Sequence, residues 1–397
     1  MTDEADGDAT DDSAVAALSP ETLADRLDAG ESIRLLDVRD RDEFEAWRIE
    51  GPGVTATQIP HIQWLQAKVR DGVADLAAEI DGAGEVVVVC ARGEASAEVA
   101  DTLNDVGVDA RNLAGGMEGW ARVYRAVELP TDGPATVVQY RRPASGCLAY
   151  LIVDDGEAAV VDPLRAFTDR YAADADDRGA EIELVIDTHV HADHVSGLRE
   201  LAAATDATPV MPRFSVQRGV DYDVETVIDG EELAVGEATL RAIHLPGHTT
   251  GMTGVLVGDV LLSGDSLFLE SVARPDLEAG AEGATPLARQ LYQSLTERLG
   301  DLPDQTLVAP GHYGPGAEPT ADGAYVARLG DLRERLPIFE TERERFALGV
   351  VRDMPPRPAN FERIVAANLG REALDDAEAF EVELGPNNCA ASRSLSG

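Results

Sequence analysis

The sequence predicts an α/β protein of two domains. A parallel sheet wrapped by helices comes first, followed by a sandwich of two mixed sheets with helices outside. Three observations predict this. The chain has 397 residues, about two domains' worth of length. Short apolar runs alternate with helical stretches up to residue 128. Beyond that point the runs lengthen, and several end in histidine or aspartate.

Residues 1–13 are acidic and small and read as a disordered tail. The first domain then spans 14–128. SPETLADRLDAG reads as a capped helix. IRLLDVR is a buried strand, RDEFEAW a short helix and EVVVVC a second buried strand. SAEVADTLNDVG is a helix that stops at Gly107, a residue suited to a left-handed terminus. Uninterrupted apolar strands between helices fit a sheet covered on both faces. VELPTDGPAT, with two prolines and a glycine, places a linker at 129–136. The second domain, 137–397, opens with TVVQYRRPASGCLAYLIV, AAVVDP, a helix and IELVIDTHVHADH. A further set follows in TVIDGEELAVGEATLRAIHLPGH and TGVLVGDVLLSGD. No short-period repeat is present.

Charge narrows the function. Asp and Glu number 74 against 33 Lys and Arg, for a net charge of −41, and Lys68 is the sole lysine. A protein that neutralises nucleic-acid phosphates needs clustered cations, so that class is excluded. No run approaches a membrane span, and the N-terminus is acidic where a secretory signal is basic. A cytoplasmic protein without membrane partners is expected. The acids are spread along the whole chain, as on a solvated surface suited to high salt, and this composition resembles that of halophilic archaeal proteins. Three cysteines are too few for a disulfide framework. Cys147, inside an apolar run, reads as a packing residue, and Cys389 receives no role.

Five of the seven histidines fall in three short motifs: His189, His191 and His194 in THVHADH, His248 in HLPGHTTG, and His312 in APGHYG. A strand runs out at Asp187 and Thr188, so His189 and His191 can point to one side, while Asp193 and His194 open the following helix. Asp265, in LLSGDSLF, stands just past another apolar strand. Imidazoles and carboxylates at such spacing suit one or two metal ions. His244 lies outside the pattern and reads as structural.

The motif set and its order resemble the metallo-β-lactamase superfamily over about residues 133–397, which implies an αββα sandwich. Two chemistries are open within it. A dinuclear hydrolase of glyoxalase II type would hold one metal with His189, His191 and His248 and the other with Asp193, His194 and His312, bridged by Asp265. Its metals would be two zinc ions or a mixed iron and zinc pair. GDSLFLESVARPDL, PPRPANFERIVAANLG and GPNNCA instead resemble the persulfide dioxygenase branch, and no counterpart of glyoxalase II's C-terminal helical segment is evident. That resemblance implies one Fe(II) per chain on His189, His248 and Asp265. His191, Asp193, His194 and His312 would orient those ligands and nearby waters. Arg274 would hold the carboxylate of a thiol persulfide. The partners implied are a low-molecular-weight persulfide, O₂, and sulfite or thiosulfate, and a homo-oligomer is expected.

In the first domain, VVVVCARGEASAEVADTL is a buried strand, Cys90, a tight loop with Gly93, and a helix from about Ser96. Backbone N–H groups of such a loop would surround the sulfur and favour an anion there. With LLDVRDRDEFEAW and LAGGMEGW, this resembles a rhodanese domain and implies sulfur transfer at Cys90. Ala95 stands where that family's loop usually carries arginine, with Arg92 earlier instead, and WRIEGPGVTATQIP replaces the usual histidine-glycine segment.

Overall fold

A computed structural model describes residues 17–314, 316–352 and 354–391. The acidic tail expected at 1–13 lies outside them. The chain divides into two compact units between Val123 and Tyr124. That division falls earlier than the linker read at 129–136. Residues Arg125–Glu128 form a strand paired into the second unit's sheet, and Leu129 and Ala135 are buried in that unit's core.

In the first unit, α1 (Pro20–Asp28) starts at Ser19, whose hydroxyl accepts from the Thr22 amide. The remaining elements are β1 (Ile33–Asp37), α2 (Arg41–Ala46), β2 (Val54–Gln58), α3 (His61–Val69), α4 (Val73–Ala77), β3 (Val86–Val89), α5 (Glu94–Asp105), β4 (Ala110–Asn112) and α6 (Gly116–Trp120). The sheet order is β2-β1-β3-β4, and every pair is parallel. Leu36, Val38, Val86 and Val88 meet Trp64, Val99 and Leu103 in one core. Because all strands run one way, their C-terminal ends share one edge. The Cys90 loop leaves the sheet there.

The second unit begins with β5 (Arg125–Glu128), β6 (Thr136–Arg142), β7 (Cys147–Asp154), β8 (Glu157–Val161), α7 (Thr168–Asp177), β9 (Glu181–Ile186), α8 (Leu198–Thr205), β10 (Thr208–Pro212), α9 (Arg213–Val216) and β11 (Glu225–Val227). These seven strands form a sheet in the order β11-β10-β9-β8-β7-β6-β5. A second sheet runs β12 (Glu232–Val235), β13 (Ala238–His244), β14 (Thr253–Val257), β15 (Val260–Gly264), β16 (Leu307–Pro310), β17 (Ala327–Arg328). The helix α10 (Gly280–Gln293) precedes β16. After β17 come α11 (Leu329–Arg335), α12 (Arg343–Arg352), α13 (Phe361–Asn368) and α14 (Asp376–Val382).

Alternation along the strands sorts side chains into layers. Leu148, Tyr150 and Ile152 of β7 meet Leu240, Val255 and Leu262 between the two sheets. Ala149 and Leu151 face outward to Tyr171, Leu198 and Leu201 of α7 and α8. On the far face of the second sheet, Leu261 and Val308 meet Leu291, Leu332 and Phe346. The result is helix, sheet, sheet, helix, as expected.

One buried ion pair ties the closing helices to the seven-stranded sheet of the same unit. Arg142, which ends β6, donates to Glu383 Oε1 at 2.7 Å, and each side chain is 1% exposed. Glu383 Oε2 also accepts from the Val195 amide at 3.1 Å. Glu383→Ala would take the carboxylate from a buried guanidinium and free an amide, so a loss of about 3–5 kcal/mol in unfolding free energy is expected from denaturant titration. A change within 0.5 kcal/mol, the range of an ordinary surface substitution, would show that the pair contributes little.

Candidate metal centre and sulfur-transfer loop

The histidine motif follows the end of β9 as loop, not helix. Asp193 and His194 were expected to open a helix, yet α8 starts only at Leu198. The amides that a helix would use are taken by side chains: Val195 N–H by Glu383 and Ser196 N–H by Asn368. Asn368 also donates to the carbonyls of His191 and His194, at 3.1 and 2.9 Å. The end of α13 thus fixes the loop that carries four candidate ligands.

Hydrogen bonds set which ring nitrogen is free. Thr188 donates through Oγ1 to Asp162 Oδ2 at 2.8 Å, so it accepts from His189 Nδ1 at 3.0 Å. His248 Nδ1 donates to the Arg274 carbonyl at 2.7 Å. His191 Nε2 donates to Asp162 Oδ1 at 3.0 Å. Each ring therefore keeps a lone pair on its other nitrogen. Those atoms, His189 Nε2, His248 Nε2 and His191 Nδ1, are buried without a partner, as is Asp265 Oδ2.

Unpartnered buried polar atoms are costly, so their convergence marks a ligand position. His189, His248 and Asp265 come together: Asp265 Oδ2 lies 4.0 Å from His189 Nε2 and 3.7 Å from His248 Nε2. Two donors bound about 2.1 Å from one ion stand roughly 3–3.5 Å apart, so a small inward movement closes the set. Burial holds the His189 and His248 imidazoles below their ordinary pKa, which keeps them neutral and able to ligate. Burial opposes ionisation of Asp265, but the charge on His312 and its hydrogen bond outweigh it and hold the carboxyl low.

The second group is arranged differently. His312 Nδ1 lies 2.6 Å from Asp265 Oδ1, and its Nε2 lies 2.8 Å from Asp193 Oδ2. Burial disfavours a charged ring, yet the two carboxylates push the His312 pKa well up, and both nitrogens donate. His194 Nδ1 stands 3.3 Å from the same Asp193 oxygen. The free atoms left here are Asp193 Oδ1 and His194 Nε2. His191 sits between the groups, 4.2 Å from the His189 ring and 4.1 Å from the His194 ring.

Arg274 is a correction. It was expected to bind substrate, but it is buried and its guanidinium donates to Asp276 at 2.7 and 3.2 Å and to the carbonyls of Pro356 and Asn388. Its contribution to the centre is the carbonyl that orients His248. Cys147 packs as expected, but its Sγ also lies 3.3 Å from Asp193 Oδ2 and shares a cluster with His194 and His312. Cys389 is buried beside Asp265 and His312, and burial, with the Asp193 and Asp265 carboxylates, pushes its thiol pKa up. Asp162 and Asp187 were also missed. Both follow apolar strands, the same signal that marked Asp265. Burial raises Asp187 to about 6, and its carboxylate accepts from Ser196. His244 bonds the Thr250 carbonyl outside the centre.

In the first unit, Cys90 follows β3 and is nearly buried. The Gly93 amide donates to its Sγ at 3.0 Å, and Ser96 Oγ lies 3.1 Å away. Gly93, at φ +103°, caps α5 in a left-handed conformation that turns the amide inward. Gly116 closes the loop from behind, where a Cβ would sit 2.3 Å from the Cys90 carbonyl oxygen. All three cysteines are free thiols.

The sequence signature of the metallo-beta-lactamase superfamily matches residues 142–312, and that of the rhodanese-like domain matches 19–123. A hydroxyacylglutathione hydrolase of Methylococcus capsulatus is 34% identical over 245 residues, 58% of this chain and 90% of that protein. The chain belongs to the metallo-beta-lactamase superfamily. A mitochondrial persulfide dioxygenase of Bos taurus is 27% identical over 246 residues, covering 60% of this chain and 89% of that one. Among solved structures, ETHE1 from Myxococcus xanthus matches with a TM-score of 0.51 at 29% identity, over 63% of this chain and all of that chain. A metallo-beta-lactamase from Staphylococcus aureus matches with a TM-score of 0.55 at 25% identity, over 61% and 75%. This metallo-beta-lactamase-superfamily protein therefore carries a rhodanese-like unit ahead of its sandwich. The fold and the His/Asp clusters indicate a metal cofactor, and the free ring nitrogens fit one. No helix among the described residues is long and apolar enough to cross a membrane.

Proposed function

We propose that the chain is a persulfide dioxygenase with an attached sulfurtransferase. It would oxidise a low-molecular-weight thiol persulfide at one iron, RSSH + O₂ + H₂O → RSH + SO₃²⁻ + 2 H⁺, and move sulfane sulfur at Cys90. The observation that carries this reading is the division of free ligand atoms. His189, His248 and Asp265 converge as a two-histidine, one-carboxylate set, the pattern of non-haem iron oxygenases with open positions. In the other group, both nitrogens of His312 are held by carboxylates. The rhodanese-like unit adds a second sulfur-handling site on the same chain.

The bound iron would supply a redox centre where O₂ meets the sulfane sulfur. The chain's residues prepare that position. Thr188 and the Arg274 carbonyl fix the His189 and His248 rings, and His312 holds Asp265 so that Oδ2 faces them. Burial of all three ligands keeps bulk water from the reacting sulfur.

A dinuclear thioester hydrolase is the second reading, and two observations favour it. Identity to the hydroxyacylglutathione hydrolase is higher than to the dioxygenases. The closing region, in which no counterpart of glyoxalase II's C-terminal helical segment is evident from sequence, carries the helices α11 to α14. Metal loading separates the two: anaerobic Fe(II) loading followed by metal quantification is expected to give one ion per chain. Two tightly held ions per chain, with hydrolysis of an α-hydroxy thioester, would select the hydrolase.

A further inference from the structure

The shared C-terminal edge of β2, β1, β3 and β4 gathers the charges that a sulfur donor meets at Cys90. After β1, Arg39 is buried with its guanidinium on Asp37 at 2.6 Å and on the Trp47 carbonyl, and Asp40 caps α2 in the open. After β2, His61 Nε2 lies 3.3 Å from Glu98 of α5, which Lys68 of α3 also faces at 3.4 Å. In the Cys90 loop, Arg92 Nε donates to Glu118 Oε1 of α6 at 2.7 Å. Glu94 is exposed at the first position of α5, and residue 95 is alanine.

Arg39, Lys68 and Arg92 thus each already face a carboxylate, and Asp40 and Glu94 add negative charge. An anion at Cys90 is met by the dipoles of the loop amides, with Glu94 opposing it. Asp40 and Glu94 stand at the same edge of the sheet as Cys90, and like charge there disfavours the approach of an anionic donor.

We infer that the sulfur donor at Cys90 is a persulfide on a neutral or cationic organic thiol, and that thiosulfate and other anionic donors are poor substrates. This rests on the reading of Cys90 as the sulfur-transfer residue. In the step, the Cys90 thiolate attacks the outer sulfur of R–S–SH and the donor's S–S bond breaks. The departing RS⁻ keeps the electron pair and takes the proton. The products are Cys90–S–S⁻ and RSH, with no net oxidation or reduction.

The test uses the full chain at the lowest salt in which it stays folded, because screening hides the effect. Persulfides of cysteamine, 2-mercaptoethanol and 3-mercaptopropionate share one sulfur chemistry and differ in charge. Sulfur loading of Cys90, read by mass spectrometry, is expected to be about fivefold faster from the cysteamine persulfide than from the mercaptopropionate one, with the neutral donor between. Glu94→Gln is expected to narrow that ratio. Ala95→Arg is expected to reverse it and to make thiosulfate a donor, leaving the neutral persulfide within about twofold. Equal rates for all three charges, or loading from thiosulfate as fast as from the cysteamine persulfide, would overturn the inference. Loading from no donor at all would overturn the sulfur-transfer reading beneath it.

Discussion

Asp265→Ala is expected to lose the catalytic metal and reduce kcat/KM for a thiol persulfide by at least about a thousandfold, some 4 kcal/mol of barrier. Among the described residues, Asp265 is the carboxylate whose free oxygen faces both His189 Nε2 and His248 Nε2, so alanine removes a third of the converging set. It also takes one of the two carboxylates from His312. His194→Ala is the informative companion. Its Nε2 is free but faces the second group, and its Nδ1 bonds Asp193 rather than a converging ligand. The iron site is expected to fill in that variant, with activity down by about 10- to 100-fold, the effect of disturbing an outer hydrogen-bond partner. Metal content and persulfide turnover, measured on both variants, decide the matter. Equal, complete loss of metal in the two would point to a single shared dinuclear centre.

Cys90→Ser is expected to abolish sulfur transfer while leaving O₂ uptake on a persulfide largely intact. The oxygen of serine can occupy the cradle made by the Gly93 amide and Ser96, so the loop is expected to keep its shape. What it lacks is a sulfur that can accept and release a sulfane atom. Persulfide formation, followed by mass, and O₂ consumption, followed by electrode, are read on the same preparation. Loss of both in Cys90→Ser would refute two sites that work independently. Retention of both would place sulfur transfer at another thiol.

Much of the fold was legible because its strands are nearly pure apolar runs. VVVV of β3 and the inner residues of β7 and β15 admit little but a buried strand. β2 was not legible, since VTATQ is half exposed and carries no apolar run. β5 was read as the end of the first domain because the prolines and glycine that signal a linker follow it directly, whereas it pairs with β6. The candidate ligands stood out because histidines cluster at strand ends, where a parallel or mixed sheet gathers polar groups. The residues that hold those ligands did not. Asn368 and Glu383 reach the histidine loop from more than a hundred residues away, and an asparagine ending a helix gives no hint of two carbonyls waiting across the fold. Arg274 looked available because sequence does not show that Asp276, Pro356 and Asn388 close around it. Cys389 lies near the end of the chain, yet its backbone carbonyl pairs with the Arg274 amide and seats the thiol beside Asp265.

The most direct test of the central claim is O₂ consumption by anaerobically purified, Fe(II)-loaded protein given a small-thiol persulfide, with sulfite and iron measured in parallel. One O₂ consumed per sulfite released, at one iron per chain, is the predicted result. Absence of O₂ uptake, together with thioester hydrolysis at two metals per chain, would contradict it.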